Sequence, residues 1–481
     1  MAGALALTFG LFSGVPSTQA TTYVWKNPAG GNWQDPTSWN PNGVPGPSDI
    51  ASLTASGSFG FTTTASYTIT LTNSIVASNL TLVVHSSSNQ TVTLNLNGNS
   101  LSLTKPGSSS PVALFIGNST SAHDTLYLAS STAAGQGLFI TNSVSLRATV
   151  GDHGTSLMVV TNGFVQVGAV GVAGNELVLG NNSSSSSQGT LVLSGSSVLW
   201  SNNAAVQIGN LSSASGNSLV ISNSAVMTCG SAALTVGGAG SSGNSLLLDS
   251  GAQLFNTDVG ANVGTASGSG NSATVQNGAI WDLGNTPLAI AGTGGNNLLT
   301  VGANGTVSNA VAVIIGAGNS VILSGGLLQA ALGITNSAGT IVGSGTLVGE
   351  VVFTGGGTLS PGSGNTVGEI DADNDLTLAS DTTVIKLDKN QAGSNDLISV
   401  AGVLTESGAL TVTNVGPALG AGDAFQIFTA GGFSGDFSAT NLPALSGGLS
   451  WDTSQLGSAG IIAIPLVLSV VGPTNEAFNV G

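Results

Sequence analysis

The sequence predicts an all-β chain: a parallel β-solenoid with a Trp-rich cap before it and a C-terminal β module after it. Three observations lead there. A unit of about 27 residues recurs in the middle of the 481-residue chain. Its runs alternate apolar and small polar side chains with the period of two that marks half-buried strands. Glycine contributes 72 residues and charged residues only 5%, far below the roughly 25% of an ordinary soluble domain.

The repeat is clearest in GNSLVISNSAVMTCGSAALTVGG from Gly216, GNSLLLDSGAQLFNTDVGANVG from Gly243 and GNSATVQNGAIWDLGNTPLAIAG from Gly270. Related units begin at Gly189, Asn296 and Gly318, and those from Thr54 to Leu179 are less regular. No segment shows a helical period with caps. One unit cannot bury enough apolar surface to offset its ordering entropy, so neighbours must stack. Glycines suit the corners, where positive φ is needed. Asn217, Asn244 and Asn271 are evenly spaced, one to each unit, and asparagines at equivalent places in successive coils form hydrogen-bonded ladders. Residues 54–362 at about 24 per coil predict about 13 rungs, a rod near 60 Å at about 4.8 Å per rung. A β-propeller or a pair of sandwiches is the competing architecture.

Composition excludes several functions. The 5 Lys and Arg against 21 Asp and Glu give a formal charge of −16. The cations Lys26, Lys105, Arg147, Lys386 and Lys389 are scattered, whereas nucleic-acid binding needs them clustered. A charged column repeated on adjacent rungs would repel itself, so a solenoid surface of Ser, Thr, Asn and Gly explains the low charge without any ligand. Cys229 is the single cysteine, which precludes an intrachain disulfide and reads as a small buried hydrophobe.

Residues 1–20, MAGALALTFGLFSGVPSTQA, have the apolar run and small-residue end of a secretory signal peptide, with cleavage expected after Ala20. No Lys or Arg precedes the run, and a buried N-terminal strand is the alternative. No later run reaches the length of a membrane span. The mature chain is expected to be secreted or to stand on a bacterial cell surface, with no transmembrane segment.

Residues 21–53 hold Trp25, Trp33 and Trp39, half of the six tryptophans. They suit a cap over the open solenoid end, or a platform on which sugar rings stack. Trp200 and Trp281 stand three repeat units apart. They would align on the rod, either facing solvent as a binding row or filling the core.

Beyond the repeats come GTIVGSGTLVGEVVFTGGGTLSPGSGNTVGEI from Gly339 and, further on, SNDLISVAGVLTESGALTV, DAFQIFTAGGFSGDF and LPALSGGLSWDTSQLGSAGIIAI. The turn Thr358-Leu359-Ser360-Pro361-Gly362, the strand Ser394–Val400, an aromatic strand, and a closing Gly448, Leu449, Trp451 and Asp452 resemble the autotransporter-associated (passenger-associated) β-strand repeat proteins of bacteria. The Trp-rich opening also looks like leaders on large secreted proteins of this kind. The resemblance implies a right-handed parallel β-helix at or beyond the cell surface, usually structural or adhesive. Only the short stretch 466–481 follows Pro465, which departs from the membrane barrel that ends an autotransporter. That tail resembles the first strand of a bacterial immunoglobulin-like domain, so the chain is expected to be part of a longer protein. The expected organisation is thus signal peptide 1–20, cap 21–53, solenoid 54–362, C-terminal β module 363–465 and tail 466–481.

Catalytic chemistry finds little support. His123-Asp124 and Asp152-His153, with Ser156 nearby, are sequence neighbours and read as turn residues, since a triad needs groups converging from separate elements. Glu369, Asp371, Asp373, Asp375, Asp381, Asp388 and Asp396 concentrate acid in one stretch. Asp371, Asp373 and Asp375 resemble the start of a Ca²⁺ loop, although Leu376 and Thr382 stand where Gly and Glu belong. A solvated turn is the competing reading, and no other cofactor is expected. Polysaccharide lyases and hydrolases share the β-helix, but Asp249, Asp258 and Asp282 are sparse and Arg147 is the single arginine, so no residue receives a catalytic role. The expectation is a non-catalytic stalk or adhesin, not an enzyme, meeting an extracellular polysaccharide or a host or neighbouring cell surface. The alternative is a polysaccharide-binding module or a depolymerase.

Overall fold

A computed structural model describes residues 20–466, apart from 48, 55–56, 62–63, 78–79, 86–88, 104–111, 118–122, 131–134, 142–146, 170–175, 182–186 and 231. The expected signal peptide (save Ala20), Lys105 and the tail after Leu466 lie outside the described residues.

The coils place strand on three faces, and some strands, such as Ile280–Ile290 and Ser320–Ala330, run round a corner onto two of them. On face 1, Thr64–Thr70, Asn89–Asn95 and His123–Ala129 stack in parallel, and the series runs on through Ser218–Ser222 to Ala439–Asn441. Face 2 runs from Ile75–Ala77 to Phe428–Gly435. Face 3 begins at Thr22–Trp25 on Ile50–Leu53. Among the described residues the strands pair in parallel except at the two ends, where Trp25 lies opposite Trp39 and Ala424–Gln426 pairs with Ile461–Ala463, both antiparallel. A few isolated antiparallel bridges, such as Gly343 with Gly362, stand apart from these strand pairs. The architecture is the expected β-solenoid. Among the described residues the α-helix is confined to Leu456–Ala459, and no helix is long and apolar enough to cross a membrane.

Alternation drives the stacking. In Ser218–Ser222 the side chains of Leu219 and Ile221 point inward and those between them outward. Leu193, Ile221, Leu248, Val275, Val301 and Leu323 then form one buried column through six coils. At roughly 25 cal/mol per Å² such columns are the main source of stability. Cys229 lies in the core as expected, and burial pushes its thiol up to about 12.

The stack is longer than the repeats suggest. Tyr23 lies on Ala51, Leu359 on Thr383, and Leu410 on Thr440, so both the Trp-rich segment and the first part of the C-terminal module belong to the solenoid. Among the described residues sixteen strands stack on face 1, from Gly31–Asn32 to Ala439–Asn441. Fifteen steps of about 4.8 Å make a rod of about 70 Å rather than the ~60 Å expected. The boundary at 362 marks a loss of sequence repetition, with no break in pairing.

Coil length varies while the strands stay in register. Val160 stacks on Leu193 across a long coil, and Ile221 on Leu248 across one of the regular repeats. Ile341 meets Leu359 across a coil shorter than either. The clearest repeats carry the expected ladder, extended to five rungs although the last interval is shorter: Asn217, Asn244, Asn271, Asn297 and Asn319, all buried. The Asn217 backbone N–H and Nδ2 both donate to Asn244 Oδ1, at 3.0 and 2.8 Å. The same double donation links Asn244 to Asn271, Asn271 to Asn297 and Asn297 to Asn319. The first four ladder amides lie against glycines: a Cβ on Gly237, whose φ is +82°, would lie 2.2 Å from Asn271 Cγ.

Candidate functional site

The N-terminal tryptophans form one buried cluster. Trp25, Trp33 and Trp39 are fully buried, with Trp39 edge-on to the other two at ring-centroid distances of 5.0 and 4.9 Å. Trp39 Nε1 donates to the Trp33 carbonyl and Trp25 Nε1 to the Asn27 carbonyl. The short turn Pro36–Ser38, capped by the Asp35 carboxylate, brings Trp39 back over Trp25. Indoles buried on both faces offer none to a sugar, which corrects the platform reading of these three residues. Trp200 and Trp281 do align, since Trp200, Met227, Leu254 and Trp281 occupy one column. That column faces inward, and both indoles are core fillers.

The acidic segment separates into distinct roles. Asp371, Asp373 and Asp375 do not converge: among the described residues no three acidic, His or Cys side chains gather closely enough to hold a metal ion. Asp375 Oδ1 instead accepts the Val403 N–H at 2.8 Å, fixing a turn to the next coil. Asp373 is exposed on the bend after the strand Glu369–Ala372. The expected Ca²⁺ set is therefore corrected, because the chain turns a corner between its first and last members.

Asp388 and Asp396 build a loop. Asp396 Oδ2 accepts from the Lys386 backbone N–H at 2.7 Å and pairs with Lys386 Nζ at 2.8 Å, while Oδ1 accepts from Gly368 N–H. Burial pushes the Asp396 carboxyl up, with Lys386 and the Gly368 amide pulling it back. Asp388 accepts from the Asn390 N–H and from Gln391 Nε2. The loop so held walls a groove of about 590 Å³ on face 2, lined by Glu369, Ser394, Asn395, Leu397, Gln426 and Thr429.

Glu369 and Asp371 share the outward side of one strand. Partial burial raises the Glu369 carboxyl, and the charge and hydrogen bond of Asp371 raise it further.

A second groove, of about 660 Å³, lies on face 2 nearer the N-terminal end. Its lining includes Val76, Ser102, Phe139, Thr141 and Gln166. Val76, Ser102, Phe139 and Gln166 stand one above another on successive coils. Phe139 contacts Phe164 at 5.5 Å, and Leu199 continues the Phe164 column in the next coil. This outward row escaped the sequence reading. Its signal was phenylalanine at the outward phase of GLFI and GFVQV, the first of them at a position where neighbouring coils place Ser102 and Gln166.

The paired His and Asp residues also find places. His123 is exposed while Asp124 points inward, in register with Ser156. Asp152 Oδ2 and His153 Nδ1 are 2.7 Å apart. Asp152 Oδ1 accepts from Asn181 Nδ2, and Asn181 Oδ1 accepts from Arg147, which pairs with Glu176. This network ties two successive coils together beside face 3. Ser156 is buried while His153 is partly exposed.

No protein-family model and no curated protein matches the chain. The likeness to autotransporter-associated repeat proteins rests on the motifs quoted above.

Proposed function

We propose that the chain is a secreted, non-catalytic stalk that holds adhesive or other modules away from a bacterial cell surface. The observation that carries this reading is a single core, continuous from Trp25 to Ile464, through a stack of about 70 Å. Such a rod transmits load along rows of backbone hydrogen bonds, and its corners are tied between coils by the asparagine ladder. Its outward strand positions are mainly neutral and repetitive, which suits a spacer. The motifs shared with autotransporter-associated proteins support the same reading.

The Phe139 groove favours a second reading, in which the rod binds a neutral polysaccharide. The Phe139 ring, set among Ser, Thr and Gln, offers apolar and hydrogen-bonding contacts together, with no charge in the named lining. A chain of net charge −16 would repel polyanions. Depletion of the purified protein by insoluble polysaccharides separates the two. A pure stalk is not depleted by any of them. Depletion by a neutral glycan that disappears in a Phe139→Ala, Phe164→Ala variant, with its melting curve retained, would replace the stalk reading with the binding one.

A further inference from the structure

The C-terminal end buries carboxyl groups that lack a counter-charge. Glu406, the last residue of the strand Leu397–Glu406, is 3% exposed, and its Oε1 has no hydrogen-bond partner. Asp381, on the preceding coil, is 2% exposed with Oδ1 likewise unpartnered. The two belong to one corner: Leu378 N–H donates to Thr405 O, and Ala409 N–H to Asp381 O. Glu406 is stacked on Gly435 of the final coil, and the next residue of that coil is the exposed Asp436.

The short helix Leu456–Ala459 closes this corner. A Cβ built on Gly457 would lie 3.6 Å from Glu406 Oε2 and 3.9 Å from Asp436 Oδ1, so the helix backbone approaches both carboxyls. The Gly460 carbonyl accepts from the N–H groups of Ile427 and Phe428 and ties the helix to the final coil. The titratable group acting on Glu406 is Asp436 on the following coil, while Asp381 stands at the same corner on the preceding one. The helix, Leu-Gly-Ser-Ala, contributes none. Among the described residues no Lys, Arg or His pairs with any of the three carboxyls.

We propose that the final coil and its cap form a proton-held latch, closed while the Glu406 carboxyl is protonated and loosened when it ionises. A protonated carboxyl can stay in this corner. An ionised one, facing Asp436 without a cation, is relieved by moving the helix away and admitting water. Burial, and then the charge of Asp436, push Glu406 up from 4.5 to about 7, and burial pushes Asp381 from 3.8 to about 6. Both are carboxyls with raised native values, so their stabilisation is complete below the unfolded values. It is lost as pH climbs from about 4 through about 7. Neutral pH therefore falls within the range where the latch responds.

Hydrogen exchange of the full chain, corrected for the intrinsic rate at each pH, tests this. The readout is protection of 428–463 relative to the central coils 218–301. The expected result is a fall of about fivefold or more in that ratio between pH 5 and pH 8.5, abolished in Glu406→Gln. A smaller fall, or one that survives in Glu406→Gln, overturns the proposal. Should Glu406→Gln lose protection even at pH 5, Asp436→Asn decides. It should keep the protection at pH 5 and show a smaller fall by pH 8.5, because the ionised Glu406 no longer meets a like charge. A fall as large as that of the unaltered chain overturns the proposal.

Discussion

The coils from Asn217 to Asn319 and those from Asp381 to Asp436 place polar side chains in comparably buried corners, with opposite chemistry. An asparagine donates through Nδ2 and accepts through Oδ1, so identical amides satisfy each other along the stack. Five do so here, and each Oδ1 after the first takes two bonds from the amide before it. An ionised carboxylate only accepts and cannot stack on its own kind. Asp396 escapes through Lys386 and the Gly368 amide, whereas Glu406 has no such partner at Oε1. A solenoid can therefore repeat a buried amide indefinitely, but must treat each buried acid as a separate case.

The largest effect should come from converting one chemistry into the other. Asn244→Asp keeps the acceptor for Asn217 and loses the Nδ2 donation to Asn271 Oδ1, setting an anion against a lone pair in a dry corner. A loss of about 3–5 kcal/mol is expected at pH 7, read as lost exchange protection in 218–301. Because the new carboxyl is raised by burial, the loss should fade below about pH 4 as it protonates in both states. An equal loss at pH 3.5 and pH 7 would mean that shape, not charge, sets the ladder.

Lys386→Met comes next. It strips the counter-charge from Asp396, which is fully buried, and leaves the acid in the position of Glu406. Two backbone amides, Lys386 N–H and Gly368 N–H, still donate to it. The expected loss is about 3 kcal/mol, centred on the 388–396 loop and growing as pH rises. Urea unfolding at pH 5 and pH 8 measures it, and a loss independent of pH would contradict the comparison.

These two regions also differ in how much the sequence disclosed. The ladder was legible because Asn217, Asn244 and Asn271 recur at one spacing beside recurring glycines. Strand alternation exposed the solenoid for the same reason. The C-terminal coils were not legible as coils. Leu359 stacks on Thr383 and Thr383 on Leu410, yet the two intervals differ, and the acids between them lie close in sequence. Proximity along the chain suggested a Ca²⁺ loop of Asp371, Asp373 and Asp375, whereas the chain turns a corner between the first and last of them and carries Asp381 and Asp396 on to other corners. The buried tryptophans show the converse limit: composition marked Trp25, Trp33 and Trp39 as special but left open whether their faces meet water.

The smallest expected effect concerns the outward surface, where neither amide nor acid is buried. Ser218, Ser245 and Ser272 stand in one outward column on face 1, and Ser245 Oγ donates to Ser218 Oγ at 3.0 Å. Ser245→Glu alone should change stability by no more than about 0.5 kcal/mol, as surface substitutions usually do. Replacing all three by Glu puts like charges on adjacent rungs about 4.8 Å apart, and a loss of about 1–2 kcal/mol should follow. Salt near 1 M, with a Debye length of about 3 Å, should restore most of it. A triple variant as stable as the single one would show that rung-to-rung repulsion does not limit charge on this rod. Another cause would then be needed for a chain with only 5% charged residues.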